Sequence, residues 1–179
     1  KLTKQGAATI ALDVIFAEAD RSSACKKAAT LGGFGDPESA RRLASAQDND
    51  ATFAAAIGQS RVVAGFGFDP KGSKNPPRRF FGVAFAGDDP VRFLPMQLGT
   101  VNSLQQLVAA AKGNGSVNTA RESAIVRRVP LMFRLKDQTG VFPSIAMEAL
   151  RVAQGASTYL IKSSGASGEE SFGQSTGIV

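Results

Sequence analysis

A strand, a turn and a helix are predicted in the C-terminal third of the chain, and this unit constrains the fold most. Residues 124–134 are apolar apart from three arginines, two of them adjacent, and they are rich in β-branched and aromatic side chains. Residues 137–140, Asp-Gln-Thr-Gly, are typical of a turn. Pro143 suits the first position of the following helix and Gly155 suits the left-handed position after its end. The apolar face of this helix is predicted to contain Ile145, Ala146, Ala149, Leu150 and Ala153.

A central strand is predicted near the start of the chain, because residues 7–16 form an apolar run interrupted only by Thr9 and Asp13. Further strands are predicted at residues 61–68 and 80–86. Helices are predicted at residues 38–46 and at 50–57, the second with a cap from residues 48–50. A third helix is predicted from Ser103 onwards, where Ser-Leu-Gln-Gln has the form of a capping box. Residues 18–37, 69–79 and 114–123 are predicted as loops, and 163–177 as a flexible loop. The alternation predicts an α/β fold: a layered mixed sheet flanked by helices in a single domain over residues 1–179.

The composition supports a folded domain and excludes several kinds of catalytic site. The chain has 179 residues, of which 43% are hydrophobic, and a net charge of +6. Histidine is absent and Cys25 is the single cysteine, which excludes histidine-dependent triads, zinc-hydrolase sites and an internal disulfide. No apolar run reaches the roughly 20 residues of a membrane span. Because the chain starts with neither methionine nor a signal peptide, we expect an excised piece of a longer protein, truncated at both ends.

Three carboxylates follow the first predicted strand, at the sheet edge where open α/β folds place their ligand clefts. Asp13, Glu18 and Asp20 could hold a cation or receive an amine. The structural alternative is that Asp13 accepts hydrogen bonds from the backbone or from arginine, and that Asp20 caps a loop.

Arg127 and Arg128 are adjacent on a predicted strand, so their side chains are expected to face opposite ways. A buried arginine needs an anionic partner, and Asp13, Glu18 or Asp20 would serve. Alternatively, an arginine fork could receive the carboxylate or phosphate of a ligand.

Neither a nucleotide nor a nucleic acid is predicted to bind. Gly65 and Gly67 follow a strand, but Pro70 occupies the place of the third glycine of a dinucleotide-binding motif, and no helix follows. One dense basic run, formed by Lys71, Lys74, Arg78 and Arg79, could contact anionic lipid or nucleic acid. Such a run in a proline-rich loop is more often simply solvated.

Taken in order, several segments resemble the type-two CHASE family of extracytoplasmic sensor domains in bacterial receptors. They are Ala11-Leu-Asp-Val-Ile-Phe followed by Glu18, Asp20 and Arg21; Asp50-Ala-Thr-Phe-Ala-Ala-Ala-Ile; Arg61-Val-Val-Ala-Gly-Phe-Gly-Phe; residues 98–118; Val126-Arg-Arg-Val-Pro-Leu; and Pro143-Ser-Ile-Ala-Met-Glu-Ala-Leu. The resemblance implies a module outside the inner membrane, with flanking membrane helices that this piece lacks. It also implies a cytoplasmic output that is a histidine kinase, as in two-component systems, or an adenylate, guanylate or diguanylate cyclase.

By this resemblance the chain is predicted to be a periplasmic or extracellular sensory domain without catalytic residues, cofactor or metal. A small ligand or a partner protein would bind at Asp13, Glu18, Asp20, Arg21, Arg127 and Arg128. Two alternatives remain open from the residues alone. One is a hydrolase that uses two of the three carboxylates as acid and base. The other is a structural module that forms a homodimer through the helix at residues 144–154.

Overall fold

The structure is a computed structural model that describes residues 1–30, 37–118, 126, 129–163 and 175–178. The strands are β1 (Ile10–Ala11), β2 (Val62–Ser73), β3 (Gly82–Ala86), β4 (Met96–Gln97), β5 (Thr100–Val101), β6 (Gly113–Ser116), β7 (Met132–Leu135), β8 (Val141–Pro143), β9 (Thr158–Ser163) and β10 (Ser175–Ile178). The α-helices are α1 (Ala24–Thr30), α2 (Pro37–Ala44), α3 (Asn49–Gly58), α4 (Gln105–Ala110) and α5 (Ile145–Gln154). Short 3-10 helices occur at Thr3–Gln5 and Val91–Phe93.

The central sheet is built around β2, which pairs in parallel with β1 and β6 and antiparallel with β5. Val62 and Ala64 face a cluster formed by Ile57 of α3 with Leu107, Val108 and Ala111 in and after α4. Because side chains alternate along a strand, Val63 and its register partner Gly113 face the other way, towards α5. Helices therefore cover both faces of the first part of β2, which explains why residues 62–68 are continuously apolar.

Two further sheets pack against each other beside the central one. In one, β9 lies between β3, to which it is parallel, and β10, to which it is antiparallel. In the other, β7 lies between β4, to which it is parallel, and β8, to which it is antiparallel. Their shared core contains Met132, Val141, Tyr159 and Ile161. The predicted α/β class with mixed sheets flanked by helices is confirmed.

In the first half of the chain, the structure corrects several predicted boundaries. The first strand is limited to Ile10–Ala11, because after Leu12, whose N–H donates to the carbonyl of Val63, the chain leaves the sheet. Helix α1 lies within the predicted loop at 18–37, and β2 continues through Ser73, beyond the predicted end at Phe68. The cap of α3 is confirmed, since the Asp48 side chain accepts a hydrogen bond from the N–H of Asp50.

The predicted capping box at Ser103 is wrong. Helix α4 begins at Gln105 after Leu104, and it has no side-chain cap. The Ser103 hydroxyl is buried elsewhere: it donates to the carbonyl of Gly65 (2.7 Å) and accepts from the N–H of Phe16 (3.1 Å). Ser103 therefore joins three distant segments instead of starting a helix.

Around α5 the predictions hold in part. Gly155 adopts the predicted left-handed conformation (φ 69°), but Pro143 ends β8, and the N-cap is Ser144, whose hydroxyl accepts from the N–H of Met147. The predicted turn contains Asp137 (φ 60°) and Gly140 (φ 121°). The predicted loop at 114–123 is wrong at its start, because residues up to Ser116 form β6. The flexible loop predicted at 163–177 is wrong at both ends, because Ser163 ends β9 and Ser175 begins β10; residues 164–174 lie outside the described residues.

Candidate functional site

The buried face of α5 is charged, contrary to the apolar face predicted from its sequence. Glu148 is completely buried and Arg151 is 7% exposed, and both lie beside the buried Val152. Leu150, predicted to be in the core, is 52% exposed, and Ala146 is also exposed. The helix is therefore rotated so that an ion pair, rather than the leucine, occupies the interior.

The Glu148 carboxylate accepts four hydrogen bonds. Two come from Arg151, from Nε to Oε2 (2.9 Å) and from Nη2 to Oε1 (2.8 Å). The others come from the Tyr159 hydroxyl to Oε2 (2.7 Å) and from the N–H of Asn114 to Oε1 (3.3 Å). A buried carboxylate is stable only when it is paired and hydrogen-bonded, and both conditions are met here.

The Arg151 guanidinium connects α5 to the ends of two other segments. Nη1 donates to the carbonyl of Ala156 (2.7 Å), just before β9, and Nη2 donates to the carbonyl of Lys112 (3.0 Å), just before β6. The guanidinium also lies over the Phe81 ring, 5.9 Å from its centroid. The hydrogen bonds to Glu148 raise the pKa of Arg151, so the guanidinium remains charged in the interior.

Tyr159 brings a second sheet into the same network. It lies on β9, is buried, and packs edge-on against Phe81 with the ring centroids 4.9 Å apart. Burial, and then the hydrogen bond to Glu148, raise the pKa of the Tyr159 phenol far above its usual value. The phenol therefore serves as a hydrogen-bond donor rather than as a base.

Two glycines make room for α5 on β6, Gly113 for the Glu148 side chain and Gly115 for the helix backbone. A Cβ atom added to Gly113 would lie 2.6 Å from Oε1 of Glu148, and one added to Gly115 would lie 2.5 Å from the Cα of Ile145. A side chain at Gly113 would displace the Glu148 carboxylate, and one at Gly115 would displace the helix itself. Residues 114–116, which were predicted as the start of a loop, thus belong to a strand whose two glycines permit close packing.

A cleft of about 250 Å³ opens beside this network. Its lining consists of Met147, Leu150, Arg151, Gln154, Ala156, Thr158 and Tyr159. Because Glu148 balances the charge of Arg151, the cleft combines apolar surface with amide and hydroxyl groups and carries no unpaired charge among these residues. Its chemistry suits a small uncharged or zwitterionic molecule.

The carboxylates predicted to bind a ligand differ from one another in their described contacts. Glu18 pairs with Arg21 at 2.6 Å on the surface, where both side chains are more than three-quarters exposed. Asp13 is exposed and makes no hydrogen bond or ion pair with other described residues. Arg127 and Arg128 lie outside the described residues. The binding role of these residues stays a prediction.

Asp20 organises a local structural cluster. It accepts hydrogen bonds from the N–H and hydroxyl groups of Ser22 and Ser23 and from the side chain of Asn49. The two serine hydroxyls, followed by the backbone N–H groups, hold the pKa of Asp20 far below its usual value. The described contacts agree with the predicted loop-capping role.

A neighbouring ion-pair group fixes α1 against the start of α3. Lys26 Nζ lies 2.5 Å from Asp50 Oδ2 and 3.1 Å from Asp48 Oδ1. The hydrogen bond with Asp50 raises the pKa of Lys26, and the hydrogen bond from Lys26 lowers the pKa of Asp48. Within the part of the chain that the structure describes, no group of three or more Asp, Glu or Cys side chains could hold a metal ion.

The basic run is exposed, and one of its members stacks on an aromatic ring. Lys71 and Lys74 lie at and after the end of β2, and the Arg78 guanidinium lies 4.8 Å from the centroid of the Phe80 ring. The Arg79 guanidinium packs against Gly140. In residues 1–30, 37–118 and 129–163 no helix is both long and apolar enough to cross a membrane.

Sequence reasoning missed the Glu148, Arg151 and Tyr159 network. A signal was present: Glu148 and Arg151 are three residues apart, the spacing at which side chains meet on one helix face. That spacing is common on solvated helices, however, and it does not reveal burial.

Comparison with known proteins gives one match. The family model described as "CHASE2 domain" matches residues 1–177. Comparisons with curated proteins and with solved structures found no match.

Proposed function

Because the chain belongs to the CHASE2 domain family, which comprises extracellular sensory domains, we propose that it is the sensory input domain of a bacterial membrane receptor. It would lie on the periplasmic or extracellular face of the inner membrane, attached through helices that flank this piece. Its output would be a cytoplasmic histidine kinase or nucleotide cyclase. The family is sensory rather than catalytic, and the domain itself would bind and signal.

The observation that carries a ligand-binding role is the cleft beside Arg151 and Tyr159. At about 250 Å³ it is slightly smaller than the roughly 300–1,000 Å³ of typical small-molecule pockets, which favours a ligand the size of an amino acid or a small sugar. The side chains of Gln154 and Thr158 would provide hydrogen bonds, and Met147 and Leu150 would provide apolar contact. Asp13, Glu18, Asp20, Arg21, Arg127 and Arg128 remain a second proposed location.

A ligand in this cleft would touch the residues that join α5 to two sheets. Arg151 bonds to the residues just before β6 and β9, and Tyr159 lies on β9 itself. A ligand that binds one packing of these elements more tightly than another would shift the population between them. The size of this shift would be set by the difference in binding free energy between the two packings, and the shift would carry the signal to the membrane helices.

The other functions considered from the sequence gain less support. Glu18 is paired with Arg21 and Asp20 accepts hydrogen bonds from three residues, so the described contacts favour structure over acid–base catalysis. Most of α5 packs within the domain, which leaves Ala146, Leu150 and Gln154 as the exposed positions for a homodimer contact.

The position of the domain relative to the membrane can be tested in intact cells. In the parent protein, Lys71→Cys places a thiol on an exposed site, and a membrane-impermeant maleimide should label it without permeabilising the inner membrane. The same protein without the substitution is the control. If the introduced thiol reacts only after the inner membrane is opened, the extracytoplasmic location is wrong.

The ligand can be sought by thermal shift with uncharged sugars and amino acids, because a ligand of the native state raises the melting temperature by mass action. A hit should be weakened by Thr158→Val or Gln154→Ala and should change the output activity of the whole receptor. As a control, Ser45→Ala alters an exposed hydroxyl between α2 and α3. Equal binding by all variants would place the ligand elsewhere.

A further inference from the structure

A second cleft, of about 340 Å³, lies at the edge of the central sheet where the parallel strands begin. Its lining consists of Thr3, Ala7, Ala8, Gly58, Gln59, Ser60, Arg61 and Lys112. Arg61 immediately precedes β2 and Lys112 immediately precedes β6. The two backbones are joined by a hydrogen bond from the N–H of Lys112 to the carbonyl of Val62 (2.8 Å).

This cleft is positively charged. Its lining contains two cations and no carboxylate. Both cationic side chains are exposed, and among the described residues neither forms an ion pair. The Arg61 guanidinium makes one long hydrogen bond, from Nη1 to the carbonyl of Ala153 (3.5 Å). Four of its five N–H groups therefore have no described acceptor.

Hydrogen bonds fix the backbone from which the Arg61 side chain extends into the cleft. The carbonyl of Arg61 accepts from the N–H of Ile10 (2.9 Å) and from the hydroxyl of Thr9 (3.0 Å). On the other side, the Thr3 and Ser60 hydroxyls are hydrogen-bonded at 2.8 Å, which joins the N-terminal 3-10 helix to the loop after α3. The lining of the cleft thus contains two hydrogen-bonded hydroxyl groups as well as the two cations.

We propose that this cleft binds a small oxyanion, either a carboxylate or a phosphate group. A guanidinium binds two oxygens of such an anion in parallel, and an adjacent ammonium adds a second charge. The hydroxyl groups of Thr3 and Ser60 can donate to the remaining oxygens. This site is separate from the cleft beside Tyr159, and the inference does not depend on the receptor role.

Titration of the chain with inorganic phosphate and with succinate, at constant ionic strength in chloride, tests the proposal by calorimetry. The wild type should bind one anion, and Arg61→Gln combined with Lys112→Gln should raise the Kd by at least about tenfold, since the loss of a single charge-assisted hydrogen bond already accounts for that factor. The matched control is Lys71→Gln with Lys74→Gln, which removes the same charge from the exposed segment at the end of β2. This control should bind like the wild type.

A third titration distinguishes a free anion from a lipid headgroup. Vesicles of phosphatidylglycerol should compete with phosphate only if the anion is presented by a membrane, and phosphatidylcholine vesicles control for adsorption. The proposal is overturned if the wild type binds neither phosphate, succinate nor phosphatidylglycerol. It is also overturned if the Arg61→Gln, Lys112→Gln variant and the Lys71→Gln, Lys74→Gln variant bind these anions with the same Kd, since a general charge effect would then explain the binding. Circular dichroism of each variant verifies that the fold is retained.

Discussion

Glu148 and Arg151 form a bidentate ion pair, one turn apart on α5, in which the carboxylate is fully buried and the guanidinium almost so. The pair lies on the buried face of α5, where aliphatic side chains would ordinarily be found. Its remaining hydrogen bonds go to β6, β9 and the residues before them. The pair is therefore a connection between sheets as well as a contact within one helix.

Arg151→Ala should destabilise the domain by about 3–5 kcal/mol, because the buried Glu148 carboxylate would lose its compensating charge. Urea unfolding followed by circular dichroism measures this change. Arg21→Ala is the matched control, since it breaks a pair of the same spacing on the surface and should have little effect. Similar midpoints for the two variants would mean that Glu148 finds another partner.

Tyr159 should not ionise in the folded protein near pH 10, where an ordinary tyrosine does. The folded pKa lies above the unfolded one, so the stabilisation is present below about pH 10 and is lost as the pH rises above it. Tyr159 is the single tyrosine and tryptophan is absent, so the ultraviolet absorbance of tyrosinate reports on this residue alone. A titration midpoint near 10 without unfolding would contradict the buried hydrogen bond.

Ser103→Ala should cost about 1–3 kcal/mol, because it leaves the Phe16 N–H and the Gly65 carbonyl without their described partner. Amide hydrogen exchange should accelerate at Phe16. If exchange accelerates instead at Gln105 and Gln106, Ser103 acts as a helix cap after all. Ser45→Ala, at an exposed hydroxyl, controls for the loss of a serine.

The stabilising effect of Asp20 should depend on pH. Its folded pKa is lowered, so its contribution is present above the ordinary value of about 3.9 and is lost as the pH falls below it. The difference in melting temperature between wild type and Asp20→Asn should therefore stay constant down to about pH 4 and shrink between about pH 4 and pH 2. Glu18→Gln, which removes a nearby exposed carboxylate, is the control. If the melting temperatures of wild type and Asp20→Asn change in parallel with pH, the serine hydrogen bonds do not make the stabilising effect of Asp20 depend on pH.

Gly113→Ala should destabilise by about 1–3 kcal/mol, since the new methyl group would overlap the Glu148 carboxylate. Gly58→Ala is the opposite case, because Gly58 lies in α3 with open space around it. That substitution should be neutral or stabilise by about 0.4–1 kcal/mol. Chemical unfolding of the two variants side by side measures the contrast, and equal effects would show that α5 can move away from β6.

The sequence predicted correctly those features that depend only on neighbouring residues. Gly155 takes the left-handed conformation and Asp48 caps α3, because each effect involves residues within one turn. Ser103 and Ser144 show the limit of this reasoning. Both precede a helix, but the hydroxyl of Ser103 bonds to Gly65 and Phe16, partners that no sequence spacing reveals.

Long-range packing explains the other differences. The sequence of β6, Gly-Asn-Gly-Ser, has the composition of a turn, yet it pairs with β2 as a strand, and its glycines make room for α5. The apolar pattern of α5 favoured Leu150 for the core. That pattern cannot anticipate that Glu148 and Arg151 neutralise each other and so can be buried together.

Gly115 has a mechanical consequence, because no side chain separates it from the backbone of α5 at Ile145. Between most helices and strands, flexible side chains can change conformation and so absorb a small movement of one element. At Gly115 no side chain is available for this adjustment, so a displacement of α5 would move β6 with it.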